Sequence, residues 1–489
     1  MRQVRRTGRR RVALLAVASL AVGPTLVGCD AGPADPDGPP LSTTASPNVR
    51  RFSPGQPGVG DPYFPTYGNG GYDVREYAVK VRYDPASDLL SGVVGLRATA
   101  TADLSRFNLD LAGLTVRAVT VDGEPATHAR DGDELTVTPA AGLPAGNGFA
   151  VEIRYDGKPT PLDNALLGAG GFRHTPDGAV ALGQPESASS WFPVNDHPSD
   201  KATYDIEVTV PDGVTALSNG APVGRSSSGG WTTWRWAERT PMASYLSTLV
   251  IGDYRVSTGE HRGRPVVTAV SERLPKGAAD ASMAATVEVA DYLESVFGPY
   301  PSGAYGGVVI SDNRITYALE TQSRPVYSAG FFRAGENTSV VAHELAHQWF
   351  GNSVSITRWQ DIWLNEGLAT YAEWLWVEHR GGKTAQRSFD DAYAGSPAGV
   401  WRTPPGDPGV AELFGDSVYQ RGAMTVHALR VTIGDDAFFR FLRTWATEKR
   451  DGNATTDEFV ATAEQVSGRQ LDDLFDAWLF GAERPARPR

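Results

Sequence analysis

The sequence predicts an α+β protein: an antiparallel β domain over residues 63–255, then a domain over residues 256–489 whose lower half is helical. Three observations carry this. Tyr77, Val79, Val81 and Tyr83 alternate with polar residues, as do Tyr204, Ile206, Val208 and Val210, the period-2 pattern of strands with one buried face. Further β-rich runs at 135–137 and 151–155 are separated by Asp-Gly and Gly-Asn turns. Beyond about Tyr254 the spacing turns helical, first over 278–297, which Gly298-Pro299 brings to an end.

In chain order, the first element is a leader. Arg2, Arg5, Arg6, Arg9, Arg10 and Arg11 precede an apolar run over 12–22. A basic start followed by an apolar stretch too short to span a membrane is the grammar of a secretory signal, placed at 1–28. Leu26-Val27-Gly28-Cys29 comes next and resembles the bacterial lipoprotein signal, in which cleavage before the cysteine leaves its thiol for acylation. Cys29 is the single cysteine of the chain, so it has no disulfide partner. The expectation is export and a lipid anchor on Cys29 at the outer face of the cytoplasmic membrane, with plain secretion as the alternative. Residues 29–62 read as an extended tether, because seven prolines from Pro33 to Pro57 punctuate a segment with few apolar side chains.

Composition narrows the partners. Of 489 residues, 41% are hydrophobic and 21% charged, an ordinary globular balance, and the formal net charge is −12. Loss of the six leader arginines takes it to −18. Such a polyanion excludes nucleic acid as an expected partner and gains nothing from anionic lipid, so a membrane association must come through the acyl anchor.

After the helical stretch at 278–297 come short β runs near 307–310 and 314–319, then two helices that hold the most informative residues. Three further helical stretches follow at 420–433, 436–448 and 456–480. The first informative helix starts at the cap residues Asn337-Thr338-Ser339 and is expected to stop at Gly351-Asn352; the second runs from Leu364 to the pair Gly381-Gly382. Within the first lies His343-Glu344-Leu345-Ala346-His347. Histidines four apart on a helix project from one face, so both rings can reach one metal ion. With Glu366 on the second helix they make three ligands of a tetrahedral zinc site and leave the fourth position open, the mark of a catalytic site and not a closed structural one. Glu344 stands between the ligands as the candidate general base.

The wording around these residues is more specific than the pattern. His343-Glu-Leu-Ala-His-Gln-Trp-Phe-Gly-Asn352 and Trp363-Leu-Asn-Glu-Gly-Leu-Ala-Thr-Tyr371, together with Gln184-Pro-Glu186 and Trp191-Phe-Pro-Val-Asn-Asp-His-Pro-Ser-Asp-Lys-Ala202, resemble the zinc aminopeptidases related to aminopeptidase N and leukotriene hydrolase. The similarity reaches Trp478-Leu479 and implies a thermolysin-like fold for residues 256–489, without the helical carboxy-terminal domain of larger members. It implies one zinc ion per chain and substrates that are short peptides with a free amino terminus. Tyr419, just ahead of Gly422, matches the catalytic tyrosine that donates to the oxyanion. Glu320 and Glu186 match carboxylates that bind the substrate ammonium, and Gln184 matches a residue lining the first side-chain pocket. Tyr317, Leu319 and Thr321 depart from the usual Gly, Met and Asn around Glu320, which puts the shape of the substrate-binding edge strand in question. A zinc endopeptidase, another zinc hydrolase and a non-catalytic peptide-binding surface protein are the competing readings.

Overall fold

The computed structural model of the protein describes residues 50–166 and 168–488. The expected leader at 1–28, the acylation site Cys29 and the tether as far as residue 49 lie outside them. Tyr77, Val79, Val81 and Tyr83 all turn inward from the strand Tyr72–Asp84, and Tyr204, Ile206, Val208 and Val210 do the same from Lys201–Pro211. Each valine or isoleucine buried this way contributes about 1.5–3 kcal/mol over an exposed one. The two strands are neighbours in an eight-stranded sheet, with Tyr204 opposite Tyr77 and Ile206 opposite Val79. They run parallel, so one joint of the expected antiparallel sheet is parallel. Alternation reports which face is buried and is blind to strand direction.

The expected tether is already part of the fold from Arg50 onward. Ser53–Pro54 pairs in parallel with Leu104–Asp110. Asp61 is buried and accepts a hydrogen bond from the backbone of Trp359 at 2.8 Å, nearly three hundred residues downstream. Proline content describes a segment that makes no secondary structure of its own, and it says nothing about the surface on which that segment lies.

A separate five-stranded sheet begins with Tyr254–His261, so the expected boundary at 255 falls inside its first strand. Its far edge is the two-residue strand Ala318–Leu319, paired antiparallel with Val326–Ser328. The β run expected from 314 is shortened because Asp312 and Arg314 close a turn, with Ile315 N–H bonded to the Asp312 carbonyl. The helix expected over 278–297 is two, Ala278–Ala284 and Thr286–Phe297, and at the joint the Thr286 hydroxyl donates back to the Met283 carbonyl. The stretch 456–480 also divides: Thr456–Ser467 ends at Gly468, whose left-handed backbone (φ 68°) stops the helix, and Asp472–Phe475 follows. Two helices go beyond the expected ones, Ala385–Gly395 and Ala398–Arg402; their Phe389, Val400 and Trp401 pack with Trp478 in a small separate core.

Candidate metal centre and peptide cleft

Thr338–Ala346 is a helix because Asn337 caps it, accepting from Val340 N–H at 3.2 Å, and because Val340, Val341 and Leu345 are buried on one side. The helix was expected to continue to Gly351; it ends at His347, one turn after His343. Residues 348–354 instead fold into tight turns, closed by Gly351 N–H to the Val354 carbonyl at 2.8 Å, with Gly351 at φ 126°. A glycine is required there twice over, since a Cβ would also press on His347 Nδ1 at 3.3 Å. Both histidines still lie on one face, their ring centroids 4.8 Å apart.

Glu366 enters from the helix Trp363–His379, and its Oε2 lies 3.4 Å from the Nε2 of each histidine. The outer nitrogens are occupied: His343 Nδ1 meets Glu373 Oε1 at 2.6 Å and His347 Nδ1 meets the Phe350 carbonyl at 3.0 Å. With Nδ1–H donating outward, each Nε2 is left facing the centre, where its lone pair would be free for a metal once the site proton is displaced. Glu373 escaped the sequence reading. Its one local signal is its place seven residues after Glu366, two turns along the same helix face. Glu373→Ala is expected to weaken zinc binding about 10–100-fold while kcat of the zinc-saturated protein stays near normal, as read from a competition titration against a chromophoric chelator.

Electrostatics test whether a cation fits here. Burial alone disfavours imidazolium, yet His343 is pushed well up, with Glu366 and Glu373 outweighing desolvation, and His347 is pushed up to about 9, with Glu366 and Glu320 outweighing it. Glu366 is held down to about 2 against its own burial by His347 and His343. The cavity thus draws protons onto its histidines to balance buried carboxylates, and a divalent cation between the two Nε2 atoms and Glu366 supplies the same charge. Glu344 is buried in this centre and its carboxyl is pushed up to about 8 by desolvation, with both imidazoles pulling the other way. A second triplet of ligand atoms, from Glu320, Glu344 and His347, also lies within 4.8 Å. The triplet with two converging imidazoles and Glu366 is the better zinc set, since Glu320 is already engaged elsewhere.

Tyr419 sits on a wide turn, Ser417–Arg421, directly ahead of the helix Gly422–Ile433. Its ring lies nearly parallel to that of His343, centroids 6.1 Å apart. Burial, reinforced by Glu366 and Glu320, pushes its phenol well up, so it stays a hydroxyl donor. Two unforeseen features fix this turn. Fully buried Arg421 donates to the carbonyls of Trp478, Trp401, Ala477 and Gly481 at 2.7–3.0 Å. Gly422 also meets Gly367 so closely that a Cβ on Gly367 would stand 2.9 Å from the Gly422 Cα. That close crossing brings the Tyr419 turn over Glu366, the residue before Gly367.

The centre opens into a cavity of about 380 Å³, lined by Gln184, Glu320, Glu344 and Tyr419 as well as the three ligand residues. Glu320 is buried beyond the edge strand, and its Oε1 accepts from Tyr245 Oη at 2.9 Å and Gln184 Nε2 at 3.4 Å. Its carbonyl is pinned by Asn352 Nδ2 at 2.8 Å and Gln348 Nε2 at 3.2 Å, so the turns after His347 hold Glu320 as well. Glu186 is the exception among the expected residues. It does not line this cavity, and its Oε1 accepts from Tyr67 Oη at 2.8 Å. Tyr317 lies in the cavity wall with its hydroxyl donated to the Ala169 carbonyl at 2.8 Å. Thr321 bonds the Arg324 carbonyl at 2.7 Å, so these departures leave the strand Ala318–Leu319 in place.

With this geometry in hand, comparison with known proteins is specific. Residues 73–246 match the family description "Peptidase M1 N-terminal domain" and residues 331–478 match "Peptidase family M1 domain". Aminopeptidase M1-D of Oryza sativa subsp. japonica is 26% identical over 439 residues, covering 83% of this chain and 49% of that protein. The chain therefore spans about half the length of this relative, and less of some others. A crystal structure of an M1 zinc metallopeptidase from Deinococcus radiodurans aligns with TM-score 0.81 and 30% identity over 88% of this chain and 99% of its own. A mutant of it bound to a Tyr-Ser-Ala substrate aligns with TM-score 0.82 at the same identity.

Proposed function

The chain belongs to peptidase family M1, a family of zinc metallopeptidases, and from that premise we propose that it removes single residues from the free amino terminus of short peptides. The observation that carries this reading is the placement of Glu320, a buried carboxylate that lines the same cavity as the two histidines and Glu344, with an oxygen within 4.8 Å of ligand atoms of His347 and Glu344. His343, His347 and Glu366 would hold one zinc ion, which when bound supplies Lewis acidity toward a carbonyl and acidifies water. Glu344 takes the proton from the attacking water on a side-chain oxygen and returns it to the departing amine. Tyr419 donates its Oη hydrogen to the oxygen on which negative charge develops. Glu320 receives the substrate ammonium, so the peptide begins there and the first peptide bond is the one presented. Gln184 borders the first side chain. For location, the leader and Cys29 support a lipid-anchored enzyme outside the cytoplasm.

The test pairs each peptide of a short panel with its amino-acetylated twin, with and without chelator. Chelator-sensitive cleavage of the free peptides, with the acetylated twins slower by about 10-fold or more, is the expected result, because acetylation removes a charge-assisted contact and leaves a buried carboxylate unpaired. Equal cleavage of both twins would assign the zinc chemistry to an endopeptidase.

A further inference from the structure

The segment 61–67, expected to end a tether and begin a β domain, makes a chain of contacts to both carboxylates that match ammonium-binding positions. Asp61 is the anchor. Its Oδ1 caps the backbone N–H groups of Tyr63 and Phe64 at 2.8 and 3.0 Å, while its Oδ2 takes Trp359 N–H at 2.8 Å and lies 3.2 Å from His197 Nε2. Tyr63 ties the segment to the helical half: its hydroxyl donates to Asp407 Oδ1 at 2.5 Å and accepts from Gly409 N–H at 2.8 Å. Phe64 stacks on Tyr67 with centroids 4.7 Å apart and meets Trp359 edge-on at 6.2 Å. Trp359 in turn meets Tyr245 at 5.5 Å. The two ends of this aromatic ladder are both phenols bonded to a glutamate: Tyr67 Oη to Glu186 Oε1 at 2.8 Å, Tyr245 Oη to Glu320 Oε1 at 2.9 Å.

We propose that residues 61–67 are a strap that positions both carboxylates matching ammonium-binding positions: Glu320, in the cavity wall, through the Phe64–Trp359–Tyr245 ladder, and Glu186, outside that wall, through Tyr67 as its positioning residue. This rests on the aminopeptidase reading above. The physical need is plain. A buried carboxylate kept for a substrate cation must be stopped from turning to another donor while the site is empty, and one hydroxyl bond to one oxygen does this while the second oxygen stays available. Glu186 shows why such a bond matters: burial pushes its carboxyl up to about 7 and Asp196 adds to that, with Asp133 and Asp110 also nearby, while the Tyr67 hydroxyl alone among these groups favours the charged form.

Tyr67→Phe removes one oxygen and keeps the stack on Phe64, and Phe64→Leu weakens the ladder without touching either glutamate. Kinetics with free peptides and their acetylated twins should show KM for the free peptides up by about tenfold in Tyr67→Phe, the worth of one hydrogen bond to a charged group, with kcat within about twofold of wild type. Phe64→Leu should move KM the same way. A strap that serves only stability would lower the melting temperature and leave KM alone, and that result, in a wild type that still rejects acetylated peptides, overturns the proposal while the aminopeptidase reading stands. If the wild type cleaves both twins alike, the reading of Glu320 falls first, and the strap's role with it.

Discussion

Glu344→Gln is expected to lower kcat by about 10²–10⁴-fold with the fold and the zinc content unchanged. Glutamine has the size and polarity of the side chain it replaces but cannot accept a proton. The site gives it no substitute: Glu320 is engaged by Tyr245 and Gln184, and Glu366 faces both histidines. Stability should move the other way from activity. Burial holds the folded Glu344 carboxyl near 8, above its ordinary 4.5, so the folded state prefers it protonated and is penalised as pH rises from about 4.5 to 8. Removing that carboxyl relieves the penalty, and the metal-free Glu344→Gln protein should melt no lower than metal-free wild type at neutral pH. Metal analysis, a thermal melt and kcat on one preparation decide the matter. A variant that binds zinc, melts normally and keeps more than about a tenth of wild-type kcat would place the base elsewhere.

Much of this centre was legible because its determinants are local. His343, Glu344 and His347 lie within one helical turn and a half, where spacing alone sets geometry, and the caps on that helix are written beside it. Glu373 is equally local but carries no rarity: a carboxylate on an exposed-looking helix position signals nothing until the histidine it supports is found against it. Arg421, Tyr245 and Tyr67 were out of reach for a different reason. Each acts on a partner 50 to 120 residues away, through carbonyls or through an oxygen of a glutamate, and neither the hydrogen-bond partner nor the distance leaves a mark in composition or period. The parallel joint between Lys201–Pro211 and Tyr72–Asp84 belongs with these, since a strand's neighbour is a long-range fact.

His347→Ala, or chelation of the wild type, is expected to abolish peptidase activity, and chelation of the wild type is expected to separate the metal-loaded from the metal-free protein most widely at alkaline pH. The first part follows from the ligand count: two donors do not hold zinc where three with an open position are needed. The second follows from the charges. In the metal-free chain the folded His347 is held up to about 9, so the stability its proton contributes is complete below its unfolded value near 6.5 and is lost as pH rises through 9. Glu344 adds a penalty over 4.5 to 8, in the same direction. Bound zinc replaces those protons with a charge that does not titrate, and its own affinity rises with pH because its ligands no longer bind protons. At a free zinc concentration about a thousandfold above Kd the metal stabilises the fold by about 4 kcal/mol. Melting temperatures with zinc and with chelator, from pH 6 to 9, should therefore diverge as pH rises. Curves that stay parallel across that range would mean that the carboxylates in the metal-free centre are neutralised by something other than protons on His343 and His347.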